Sequence, residues 1–144
     1  MIEIDHVSKR YGDVTVVDDV SLTIPKGGMT TIIGPNGAGK STLLSMMSRL
    51  IGMEAGRITV DGLDVTTTPS RDLATRLSIL RQDNHLDARL TVRDLVAFGR
   101  YPYSRGRLTV EDRDKIEAAI DFMQLDPMRD RFIDELSGGQ RQRA

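Results

Sequence analysis

Residues 34–42 read GPNGAGKST, which meets the pattern Gly-x-x-x-x-Gly-Lys-[Ser/Thr] at every position. At average amino-acid frequencies that pattern arises roughly once in tens of thousands of positions, so accident is a weak explanation in so short a chain. The flanking text agrees with it. GGMTTIIG, residues 27–34, is a β-branched run ending in glycine and predicts a strand. After Gly39 the period turns helical, with Leu43, Met46, Met47 and Leu50 on one face. The order is strand, glycine loop, helix.

Each residue type in the loop has a chemical reason. Gly34, Gly37 and Gly39, with Pro35, Asn36 and Ala38 between them, let the backbone bend closely around an anion. Successive N–H groups at the helix N-terminus then point at phosphates, with the helix dipole behind them. Lys40 can reach the β and γ phosphates as a mobile point charge. Ser41 can offer its hydroxyl to Mg²⁺, which prefers oxygen ligands, and Thr42 is placed to bond the α-phosphate. The rival reading, a glycine-rich turn capping an ordinary helix, has only the chance rate in its favour.

Around this loop the first half of the chain alternates as half-buried strands do. Ile2 and Ile4 repeat at period two, as do Val20, Leu22 and Ile24. GRITVDG, residues 56–62, and LSILRQ, residues 77–82, read as further strands, and Asp61-Gly62 is a hairpin turn signal. From Thr91 the text is helical. Thr91 with Asp94 and Thr109 with Asp112 each spell a capping box, and Ile116, Ala119, Ile120 and Met123 supply an apolar stripe. The division expected is a mixed unit over 1–83 and a helical unit over 84–144, with no internal repeat.

LSGGQ at 136–140 is different in kind. Ser137 can cap a helix starting at Gly138, with Gln140 returning the capping-box bond, so that N–H groups again face outward toward an anion. The same letters also fit the start of an ordinary surface helix.

A GPNGAGKST loop followed about a hundred residues later by LSGGQRQRA resembles the ATP-binding cassette (ABC) ATPases, and the resemblance covers the whole chain. It implies an α/β P-loop NTPase fold with an antiparallel β subdomain and a helical subdomain. It also implies ATP and Mg²⁺ as cofactors and a second ATPase subunit in a head-to-tail dimer. In that dimer Ser137, Gly138, Gly139 and Gln140 serve the γ-phosphate of nucleotide held on the partner's P-loop. Tyr11, in KRYG, corresponds to the aromatic that stacks on adenine, with Val16 an apolar neighbour; by itself Tyr11 reads equally as a packed strand-end ring. Gln82, in LRQD, falls where the family has the glutamine that contacts Mg²⁺ and the attacking water. The catalytic set implied for this chain is Lys40 and Gln82.

RLTVRDLVAFGRYPYSRGRLTVED and RFIDELSGGQRQRA are similar to the branch that imports ferric siderophores and related chelates, with cobalamin and haem importers close in text. That branch implies transmembrane permease partners, faced by FGRYPY, and a peripheral place on the cytoplasmic face of the bacterial inner membrane. The family's Mg²⁺-holding aspartate, catalytic glutamate and γ-phosphate histidine follow the signature and are expected beyond Ala144, so the fold is expected to be incomplete at its C-terminus. Internal acids make poor substitutes: Asp61 reads as a hairpin residue, Asp83 and Asp87 as loop acids, and His6 and His85 lie at no matching spacing.

Composition bounds the alternatives. The 144 residues carry a formal net charge of -1 with the arginines interleaved among acids, which disfavours a nucleic-acid partner. There is no cysteine, which excludes disulfides and thiolate metal sites. The opening MIEIDHVSKRYG does not read as a signal peptide, and no stretch is long and apolar enough to insert directly in a bilayer. A soluble cassette ATPase acting on ribosomes or DNA, and a nucleotide-binding fragment without turnover, stand as the competing readings.

Overall fold

The structure is a computed structural model that describes residues 1–80 and 89–144. Its contacts divide the chain into two compact units, Met1–Leu80 and Arg81–Ala144. No helix among the described residues is long and apolar enough to cross a membrane.

The first unit is built on an antiparallel sheet. Strands β1 (Ile2–Tyr11), β2 (Val14–Ile24), β3 (Ala55–Val60) and β4 (Leu63–Asp64) lie in the order β2-β1-β3-β4. Period-two alternation buries Ile58 with Val60, and an irregularity in β1 between Ile4 and Val7 lets both of these join them and Val17 in the core. There they meet Leu43, Met46 and Met47 of helix α1 (Lys40–Met47), together with Val65 and with Leu73 of the short helix α2 (Ser70–Ala74). Met46 and Met47 therefore fill core space, as unbranched side chains do well. The β3–β4 hairpin turns on Asp61 and Gly62, both at positive φ (49° and 78°), which suits the right-handed twist of the strands. The Asp61 carboxylate receives a bond from the N-terminal ammonium at 2.6 Å, so it is engaged as a hairpin residue.

β1 is not regular. Its pairing with β2 slips between Ile4 and Val7, and its pairing with β3 slips between Asp5 and Ser8. His6 and Asp19 both take φ 48° at this bulge, and His6 Nδ1 lies 2.7 Å from Asp19 Oδ1. On the other side, a Cβ on Gly56 (φ +84°) would lie 2.3 Å from the His6 carbonyl oxygen, so only glycine lets β3 approach there.

Two expectations fail in this unit. Residues 28–33 are not paired as a strand, and neither are 77–80 of the second predicted run. A β ladder needs a neighbour to share its N–H and C=O groups, and the sheet of described residues offers none to these segments. Ile32 is partly buried on the core, while Met29 (96%) and Ile33 (88%) are exposed. The helical face also ends earlier than the spacing predicts. Ser48 Oγ bonds back to the Leu44 carbonyl at 2.8 Å, Arg49 turns left-handed (φ 59°), and Leu50 falls outside the helix and is exposed.

The second unit is helical: α3 (Val92–Phe98), α4 (Tyr101–Ser104), α5 (Val110–Phe122) and α6 (Gly138–Arg143), with single 3₁₀ turns at Asp126–Met128 and Ile133–Glu135. Both predicted capping boxes form. Thr91 Oγ1 accepts from Asp94 N–H, and Thr109 Oγ1 accepts from Asp112 N–H, each at 3.1 Å. The Asp112 carboxylate is buried and does a second task, taking the Arg100 Nε–H at 2.9 Å. Bonds from Thr109, then from Arg100, hold its carboxyl below the usual range. The core is Val92, Ile116, Ile120, Leu125, Ile133 and Leu136. The α5 stripe is narrower than its letters suggest, since Ala119 and Met123 are exposed.

The His6 pair gives a pH prediction. Donation to Asp19, reinforced by the charges of Asp19 and Asp5, raises the His6 pKa above its ordinary 6.5. A raised folded pKa stabilises fully below 6.5, and that contribution disappears as pH rises through the folded value. NMR titration of His6 is expected to give a midpoint above 6.5 that returns toward it in Asp19→Asn. A wild-type midpoint at or below 6.5 contradicts the pair.

Candidate functional site

The loop at 34–42 is held by its own backbone and by one side chain. Gly37 (φ +84°) and Gly39 (φ +81°) both adopt the left-handed conformation that L side chains rarely take. Ala38 N–H donates to the Pro35 carbonyl at 3.3 Å, and the Gly39 carbonyl receives the Leu43 N–H at 2.8 Å, which starts α1. Gly39 is also where the loop meets the sheet, for a Cβ there would lie 2.5 Å from the Val16 carbonyl oxygen and 3.2 Å from Val17. Val16 thus touches the site through its backbone as well as flanking it on β2.

Lys40 Nζ donates to the carbonyls of Gly34 (2.8 Å) and Pro35 (2.7 Å). The ammonium therefore curls back over the mouth of the loop, at the height where an anion on the helix N-terminus would meet it. α1 carries no acid in its first turn and no side chain of the described residues caps its start, so the helix itself brings no negative charge to its orphan amides. Ser41 is exposed and Thr42 partly so, on that same first turn. Asn36 stands exposed at the tip. This donor set fits a polyphosphate, and the Ser41 hydroxyl is an oxygen ligand suited to Mg²⁺.

Tyr11 ends β1 opposite Val14 and is 52% exposed, so its ring is a surface platform rather than core. Gln82 lies outside the described residues, as do Asp83, His85 and Asp87.

In the second unit Ser137 caps α6 as its letters predict. Its Oγ accepts from Gln140 N–H at 3.4 Å, and Gln140 Oε1 accepts from Ser137 N–H at 3.0 Å. Gly138 and Gly139 follow in the first turn, both exposed, and a Cβ on either would meet nothing within 4 Å. Among the described residues no contact requires glycine at either position, and in a helix glycine costs about 1 kcal/mol relative to alanine.

Lys9 and Glu54 belong to no common motif in the sequence. Lys9 Nζ donates to Glu54 at 2.9 Å across 45 residues of chain, a separation at which no local spacing could have announced it.

The family profile described as ABC transporter matches residues 17–144. Over 144 residues the chain is 53% identical to the petrobactin import ATP-binding protein YclP of Bacillus subtilis (strain 168), covering 100% of this chain and 57% of that protein. It is 56% identical over 144 residues to the petrobactin import ATP-binding protein FatE of Bacillus anthracis, again covering all of this chain and 58% of the relative. The chain thus spans a little over half the length of these curated relatives. Its fold is similar to a bacterial ABC transporter cassette solved as a dimer, with a TM-score of 0.79 and 26% identity over 99% of this chain and 66% of the other.

The contrast between two loop glycines tests the geometry. Gly39→Ala is expected to cost roughly 1–3 kcal/mol by urea unfolding, from left-handed strain and the clash with Val16. Gly34→Ala places its methyl at an ordinary 3.5 Å from Ala38 Cβ and is expected to stay within about 1 kcal/mol of wild type. Equal losses at both positions contradict the loop as described.

Proposed function

The chain belongs to the ABC transporter family, and on that premise we propose that it carries the nucleotide site of an ATP-driven importer subunit whose cargo is a ferric siderophore or related chelate. The observation behind the reading is the loop at 34–42, where left-handed Gly37 and Gly39, acid-free amides of α1 and the Lys40 ammonium converge on one anion site. The cargo rests on relatives that are named as petrobactin importers.

In this reading the residues from Gly34 to Thr42 bind the triphosphate, Lys40 follows charge onto the γ-phosphoryl oxygens, and Tyr11 receives adenine, with Val16 beside it. Ser41 and Gln82 would hold Mg²⁺, which would supply neutralisation of charge on the β and γ phosphates. Phosphoryl transfer has a loose transition state, so positioning and charge stabilisation are what these residues contribute. Hydrolysis belongs to the whole protein, since the chain spans little more than half the length of its relatives.

Gly138 and Gly139 support a second subunit. Two exposed glycines that no contact among the described residues requires are explained when a partner approaches the backbone closely. A γ-phosphate held on a partner's loop, bonded by Ser137 and the adjacent amides, has that character. The dimer is then head-to-tail, and the subunit is peripheral, attached to transmembrane permease subunits at the cytoplasmic face of a bacterial inner membrane.

In the full-length protein assembled with its permease, Lys40→Ala is expected to lower ATP turnover at least about a hundredfold and to abolish uptake of a ferric siderophore. Unchanged turnover in that variant overturns the proposal. Gly139→Ala separates the partner role from folding: stability is expected to hold or rise by up to about 1 kcal/mol, while ATP-dependent dimerisation measured by light scattering weakens. Dimerisation as strong as wild type removes the argument from the glycines.

A further inference from the structure

The end of β1 that carries Tyr11 is not held by a regular ladder. Pairing of β1 with β3 stops at Ser8 and Ala55, and pairing with β2 shifts between Lys9 and Arg10. Beyond Ser8, on the β3 side, the partner of the strand is a side chain. Glu54, the residue before β3, donates its own N–H to the Ser8 carbonyl at 3.1 Å. Its carboxylate then accepts the Arg10 backbone N–H with one oxygen and the Lys9 ammonium, at 2.9 Å, with the other. Glu54 in this way continues the ladder for one more turn of the pleat.

Lys9 and Tyr11 are two residues apart on a strand, so their side chains leave the same face. With its ammonium tied to Glu54, Lys9 has a side chain only 16% exposed, and Nζ stands 5.4 Å from the centre of the Tyr11 ring, within reach of a cation–π attraction. Tyr11 nevertheless remains half exposed. The ring is therefore attended by a held cation while about half of the residue's surface stays open to solvent.

We propose that Glu54 is a positioning residue for base recognition: through the Arg10 amide and the Lys9 ammonium it fixes the strand end bearing Tyr11 and leaves the open part of the ring to a purine. The inference rests on the reading of Tyr11 as the adenine platform. Lys9 and Glu54 act on the base and not on the phosphates, because their contacts reach the Tyr11 strand end while the phosphate loop is held by Val16, Gly39 and Lys40. The Lys9 and Arg10 bonds also keep the Glu54 carboxyl below the usual range, so the clamp is charged at neutral pH.

The test compares ATP with inorganic tripolyphosphate, which has no base, by isothermal titration on the full-length protein. Glu54→Gln, Lys9→Met and the double variant are each expected to weaken ATP binding by at least threefold, and the double variant to be no worse than Lys9→Met alone, since the two act in series. Tripolyphosphate affinity is expected to stay within twofold of wild type, which general loosening of the sheet would not produce. Parallel losses for both ligands, or unchanged ATP affinity in Glu54→Gln while Tyr11→Ala binds ATP weakly, overturns this inference and leaves the nucleotide site standing. Wild-type protein that binds neither ligand overturns the nucleotide reading and this inference with it.

Discussion

A Cβ on Gly39 would lie 2.5 Å from the carbonyl oxygen of Val16, and the site depends on that approach being possible. Because the residue is glycine, and left-handed, the chain turns from the loop into α1 while resting against β2. The start of the helix is thereby fixed to the sheet, and its unpaired amides face outward in a set direction. Leu43, Met46 and Met47 anchor the other side of the same helix in the core. The geometry of the loop is thus a consequence of packing: the core seats α1, α1 seats the loop, and Lys40 closes over it.

The helical unit has its own apolar core, and its short helices are fixed at their starts by capping boxes. Thr91, Thr109 and Ser137 each cap a helix and receive a reciprocal bond from the residue three places on. Asp112 shows how such a cap can carry more than one duty, since it caps α5 and also receives Arg100 from the stretch around α4. Arg100 in turn stacks its guanidinium 4.0 Å from the centre of the Tyr103 ring. An aromatic segment that leaves Phe98 and Tyr101 exposed is tied to the α5 start by this chain of contacts.

What was legible in the sequence was what is local. The loop, the caps and the Asp61-Gly62 turn are written within a few residues, because each is a backbone conformation satisfied by its neighbours. What was not legible depends on residues far apart. The strand expected at 27–34 needs a ladder partner that its own letters cannot supply, and Leu50 leaves the α1 face because Ser48 and Arg49 end the helix first. Glu54 looks like any loop acid until β3 brings it to the end of β1. Gly56 likewise has no meaning apart from the His6 bulge that it lies against.

Whether the 34–42 loop is a phosphate site closed by Lys40 is decided by a crystal structure of the full-length protein with MgATP. In it, Lys40 Nζ is expected to leave the carbonyls of Gly34 and Pro35 for the β and γ phosphates, with the α1 amides on the same oxygens and adenine on Tyr11. Nucleotide bound elsewhere, with Lys40 still on those two carbonyls, would contradict that expectation.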